Sequence, residues 1–200
     1  MNEIESVLEF WFGAADTNGA IDPVKRKMWF GKGRRHDAMI RKRFGALHER
    51  ASRGELESAW TPTPCGRLAL IVVLDQFSRH IHRGSGAAFA QDPAAQRLAL
   101  AGINQGADRQ LIPAQRSFFY MPLEHAEDIE LQRLGVRCFD GLAHTVAQAW
   151  RKDYDGFLDY ARRHRDTIER FGRFPHRNAV LGRVSTAEEA EFLKQPGALF

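Results

Sequence analysis

Apolar residues along this chain recur at steps of three and four, the spacing of one face of a helix, and no stretch alternates as a strand does. Ile4, Val7, Leu8 and Trp11 form one stripe of a short helix that stops at Gly13. Asp22-Pro23 reads as an N-cap followed by proline at the first helical position, opening a segment with Met28, Trp29 and Phe30. Ile40, Phe44, Leu47 and Ala51 predict an amphipathic helix ending at Gly54. The TPTP run from Thr61 to Pro64 reads as a loop. From Gly66 to about Arg79 the pattern changes: LALIVVLDQF is apolar on every side, which suits a central helix surrounded by others. Ile71, Val72 and Val73 are β-branched and would also suit a strand; the run's continuation to Arg79 favours helix.

After a glycine-rich turn, Asp92-Pro93 repeats the N-cap and proline signal for a helix carrying Leu98, Ala99 and Ile103. Pro113 and Pro122 bracket a short aromatic segment, and a long helix is expected from about Leu123 to Leu142. Another, from about Tyr154 to Phe171, places Phe157, Ala161, His164, Ile168 and Phe171 on one stripe. Ser185-Thr186 with Glu188 and Glu189 forms a capping box for a last short helix that Pro196 ends. The expectation is an all-α protein of seven or eight helices in pairs. It forms a single domain over residues 1–200, since no linker is long enough to divide it. No repeat of tetratricopeptide length is legible.

Composition narrows the setting. The 200 residues are 44% hydrophobic and 27% charged, ordinary for a globular chain. The longest apolar run, Leu68 to Leu74, falls far short of the roughly 20 residues a membrane helix needs. No basic-then-apolar leader opens the sequence, and Cys65 and Cys138 lack CxxC spacing, so reduced thiols in a cytoplasmic protein are expected. Net charge is +4, carried by 23 arginines against six lysines. Arginine favours bidentate contacts to carboxylate or phosphate.

Three apolar stripes contain polar residues. Asp75 and Arg79 continue the stripe of Leu68 and Val72, His125 heads that of Ile129, Gln132, Val136 and Phe139, and His164 lies between Ala161 and Ile168. Facing inward, these groups must be paired, because isolated buried charge costs several kcal/mol. The acid-free run RFGRFPHRNAVLGR, Arg170 to Arg183, follows the His164 helix directly. Folded back, it can set Arg173, His176, Arg177, Asn178 and Arg183 as one wall of a cleft. Asp75, Glu124, His125, Asp128 and His164 would form the other wall. Phe171 and Phe174 would anchor it.

Two readings follow. In the first, a small phosphate- or carboxylate-bearing ligand binds through Arg79, Arg173, Arg177 and Arg183 together with Glu124, His176 and Asn178. Catalysis is then open to His125 or His164 with Asp75 or Asp128. In the second, the arginines pair with the acids of EHAED as a structural staple, and the helices are a scaffold for a peptide or protein partner. Ligand spacing for a metal is missing, since Glu124-His125 and His125-x-x-Asp128 have no second copy and His80 and His82 pair only if extended. No metal or cofactor is expected. Walker, GxSxG and GxGxxG motifs are absent. The basic stretches Lys32–Phe44 and Arg162–Arg165 interleave with core positions of amphipathic helices and read as solvated faces, not a nucleic-acid surface.

The stretches VLEFWFG, LALIVVLDQFSRHIHRG with AFAQD, FFYMPLEHAEDIELQ and FGRFPHRNAVLGRVSTAEEAEFL, in that order, resemble the bacterial domain-of-unknown-function family 924. The chain departs from that pattern at Ser78 and His80, where the family more often has proline and asparagine. The resemblance implies antiparallel helix pairs in a right-handed superhelical array similar to tetratricopeptide repeats. It implies no activity.

Overall fold

The computed structural model describes residues 2–13, 16–30 and 34–198, apart from the Arg34 side chain, and no strand occurs among them. α1 (Glu3–Phe12) begins with a capping box between Asn2 and Glu5 and buries Val7, Phe10, Trp11 and Phe12. α2 (Pro23–Phe30) starts where Asp22 Oδ1 accepts the Val24 N–H. α3 (Asp37–Ser52) buries the stripe Ile40, Phe44, Leu47 and Ala51 together with His48. A single turn, α4 (Glu57–Trp60), leads to α5 (Pro64–Ile71), capped by Thr63. α5 runs through a π-helical stretch, Val72–Phe77, into α6 (Ser78–Ile81). Residues Leu68 to Leu74 of this rod are almost entirely buried, as all-round apolarity requires.

α7 (Asp92–Asn104), α8 (Pro113–Glu124), α9 (Ile129–Ala143) and α10 (Arg151–Phe171) follow. α1, α7 and α8 pack on α5, α3 packs on the π stretch and α6, α9 lies along α8, and α10 lies along α9. One apolar cluster extends from Val7 through the rod to Ala161. Gly102 of α7 leaves room for its neighbours on α8 and α5: an added Cβ would sit 2.4 Å from Phe119 Cζ and 2.6 Å from Arg67 Cδ. Beyond α10 come two 3-10 turns, Pro175–Arg177 and Ala179–Leu181, and α11 (Ala187–Phe192) with its Thr186–Glu189 capping box. No helix among the described residues is long and apolar enough to cross a membrane.

Three expectations change. Pro122 lies inside α8, in its last turn, where the donor it lacks disrupts only the helix end. The single helix expected from Leu123 to Leu142 is two. Asp128 Oδ1 accepts the Glu130 and Leu131 N–H groups and so starts α9 afresh, while Gln132 Nε2 donates to the Glu124 and Ala126 carbonyls exposed by the break. Asp92 is the first residue of α7 and not its cap, because its carboxylate is engaged by arginines. Lys32 and Gly33 of the expected solvated basic face lie outside the described residues.

Candidate functional site

The rod, the α8–α9 break and the segment after α10 converge on one polar cluster inside the apolar frame. The π stretch supplies Asp75, fully buried. One turn on, Arg79 Nη1 lies 3.1 Å from Asp75 Oδ1 and donates to the Asp75 carbonyl. Its Nη1 and Nη2 also grip the two carboxylate oxygens of Asp92 at 2.9 and 3.1 Å. Gln76 Nε2 donates to Asp75 Oδ2 at 2.6 Å. Because the helix stops at Glu124, His125 turns back toward the rod, and its Nδ1 donates to Asp75 Oδ1 at 2.8 Å. That bond fixes the tautomer and leaves Nε2 as the basic nitrogen.

Left-handed Gly172 (φ +68°) ends α10 and reverses the chain. Phe174 is then buried, and its N–H donates to Glu127 Oε1 at 2.7 Å. The following turn drives Arg177 into the interior, its guanidinium held between the Phe89 and Phe174 rings at 4.4 and 4.5 Å. Arg177 Nη1 donates to Asp92 Oδ2 at 3.1 Å and Nη2 to the His125 carbonyl at 3.0 Å. Asp92 therefore joins Arg79 to Arg177. His164, on α10, donates from Nδ1 to the Tyr160 carbonyl at 2.9 Å, with Glu124 Oε1 3.5 Å away. Its ring meets those of His125 and Phe174, and Phe174 in turn meets His176.

Burial and neighbouring charge set the protonation states. Burial opposes ionisation of Asp75, yet Arg79 and His125 outweigh it and hold the carboxyl well below the usual range. Glu124 goes the other way: burial, reinforced by the Asp75 charge and opposed by Arg79, pushes it up to about 8. Burial and Arg79 lower His125 against the pull of Asp75. Burial and His125 lower His164 strongly. Burial, Arg177 and His125 bring His176 to about 4. Burial lowers Arg177 to about 10, with Asp92 opposing. At neutral pH, Asp75, Arg79 and Arg177 are thus charged, while Glu124 and the three histidines are neutral.

Asp75, Arg79, Glu124, His125, His164, His176 and Arg177 meet as the sequence suggested. The others do not join them. Arg173 pairs with Glu189 at 2.6 and 2.8 Å, and its bonds to that carboxylate bring Glu189 to about 2. Asn178 donates to Ser185 Oγ and Glu189 Oε2. Arg183 grips Glu127 at 2.7 and 2.9 Å and bonds the Phe174 carbonyl. Asp128 is exposed and spent as the α9 cap, which removes it as a catalytic partner of His125. Asp92, Glu189 and Phe89 were missed as partners, whereas Glu127, which pairs with Arg183, belongs to the EHAED run named as a partner of the arginines. Asp92 read as a cap, and only the acid pairing of the arginine run pointed toward the other carboxylates. His80 and His82 lie at a helix end, not on an extended pair, and no group of three His, Cys, Asp or Glu among the described residues is placed to hold a metal. The two cysteines are free; burial raises the Cys138 thiol to about 11.

The family of bacterial proteins of unknown function DUF924 matches residues 7–197. A solved structure of a protein of unknown function, ATU0120 from Agrobacterium tumefaciens, is similar at 36% identity, covering 96% of each chain with a TM-score of 0.80. No curated protein matches. The chain belongs to the DUF924 family.

Proposed function

We propose that this DUF924 member is a helical scaffold that engages a peptide or protein partner, with its Arg/His/acid cluster a structural network stapling the C-terminal segment to the bundle. What carries the reading is that the arginines of the Arg170–Arg183 run are each committed to a carboxylate: Arg170 to Glu188, Arg173 to Glu189, Arg177 to Asp92 and Arg183 to Glu127. A trap for an anion needs uncommitted positive charge, and here the buried charges cancel. The stapled segment also turns Val180, Leu181 and Val184 outward, the last 89% exposed, as an open apolar surface suited to a peptide. A tetratricopeptide-like, right-handed stacking of antiparallel pairs in one cytoplasmic domain belongs to the same proposal. The succession α8, α9, α10, each packed on the one before and joined by short connections, is in keeping with it. Arg177→Ala tests the staple: a cost of about 3–5 kcal/mol in urea unfolding is expected, because Asp92 is left under-compensated inside the protein. An unchanged midpoint would reject it.

One observation favours a second reading, a ligand site equipped for acid-base catalysis at the same cluster. Glu124 near 8 and Asp75 far below its usual range are two carboxyls driven apart by their surroundings, the pattern of an acid and base pair. Arg79 and His125, with side chains 20% and 15% exposed, are where a small anion would reach it. A thermal-shift screen with phosphorylated metabolites and carboxylic acids decides: a rise lost in His125→Gln supports the site, and a flat screen removes it.

A further inference from the structure

A second polar cleft lies away from this cluster, between α3 and the C-terminal end of α6, and it stands independently of the staple. It encloses about 310 Å³ and is lined by Arg41, Gly45, His48, Glu49, Ile81 and His82. That volume sits at the small end of ligand sites, which run from roughly 300 to 1,000 Å³. Arg41, Gly45 and Glu49 are spaced by four and share one face of α3. Gly45 makes the notch: an added Cβ there would meet no atom within 4 Å. At one end of the notch, Arg41 is pinned by a hydrogen bond from Nη2 to the Ile81 carbonyl. At the other end, two helical turns away, stands exposed Glu49. Neither forms an ion pair among the described residues.

The back wall has a defined hydrogen-bond polarity. His48 Nε2 lies 2.7 Å from Ser78 Oγ, and Ser78 Oγ donates its only proton to the Leu74 carbonyl at 2.5 Å. Nε2 must therefore donate to Ser78, and Nδ1 is left as an acceptor. The His82 ring lies 5.3 Å from that of His48. A simple anion in this cleft would face Glu49, and a simple cation would face Arg41. A small molecule carrying both charges satisfies both ends.

We propose that this cleft binds a free α-amino acid as its zwitterion, the carboxylate on Arg41 and the ammonium between Glu49 and His48 Nδ1. The test titrates the full chain with each proteinogenic amino acid and follows its melting temperature. At saturation at least one should raise it by about 5 °C or more. The N-acetyl derivative, lacking the ammonium, and the amide, lacking the carboxylate, should both lose the shift. Gly45→Leu should abolish it while keeping or raising the melting temperature of the free protein, since it fills open space and removes a helical glycine. Arg41→Gln should abolish it as well. The proposal is overturned if no amino acid shifts the protein, if the shift survives Gly45→Leu or Arg41→Gln, or if either blocked derivative binds as well as the parent.

Discussion

Glu124 is a carboxyl kept protonated at neutral pH inside the protein, and its consequence is a stability that depends on pH. Its folded value, about 8, lies above the value near 4.3 of an unfolded glutamate, so the folded state holds a proton the unfolded state has lost. Stability from this group is therefore full below about pH 4 and declines as pH rises toward 8. The histidines act in the opposite sense. His125, His164 and His176 are lowered in the fold, so stability falls as pH drops below about 6.5 and the unfolded imidazoles take up protons first. Urea unfolding across pH should give a maximum near pH 6.5. Glu124→Gln should flatten the alkaline side, and His176→Gln should soften the acidic side; an alkaline slope that persists in Glu124→Gln would contradict the assignment. At this scale the sequence was informative about which residues are buried and polar, because Asp75, His125 and His164 interrupt apolar stripes. It was silent on partners. Whether Arg177 meets Asp92 or an acid of EHAED depends on where the chain returns, and local spacing carries no record of that.

Helices were legible wherever apolar spacing was strong, as in α3 and α10, and were misread where a side chain competed with the backbone. Asp128 divides one expected helix into α8 and α9, and the division turns His125 toward Asp75. The signal was present as an aspartate two residues before Glu130, but it was weaker than the apolar period running through it. The π stretch in the central rod had no such signal. β-branched Val72 and Val73 crowd the backbone there, and only the neighbours decide how that crowding is relieved. Packing between elements makes its own prediction. Gly102→Ala should cost about 1–3 kcal/mol in chemical denaturation, although alanine is the better helix former, because its methyl group would be driven into Phe119 and Arg67. A stabilised Gly102→Ala variant would mean that α7 stands further from α5 and α8 than described.

Across the whole molecule, the C-terminal segment behaves as a closing strap. It leaves α10 at Gly172, anchors Phe174 in the interior, and is tied by ion pairs to α7, to the α8–α9 break and to its own final helix. Amide exchange in the Pro175–Arg177 turn should therefore report global opening and not local fraying. Early exchange there, with α8 and α9 still protected, would show a segment that detaches by itself. The measurement that bears most directly on the staple is a double-mutant cycle between Arg177 and Asp92, read by urea unfolding of the parent, Arg177→Ala, Asp92→Ala and the double variant. Arg177→Ala should cost about 3–5 kcal/mol, and the double variant should cost less than the two single changes combined, by at least about 1 kcal/mol. Additive costs, or a parent-like midpoint for Arg177→Ala, would contradict the staple and return the arginine to the role of a ligand contact.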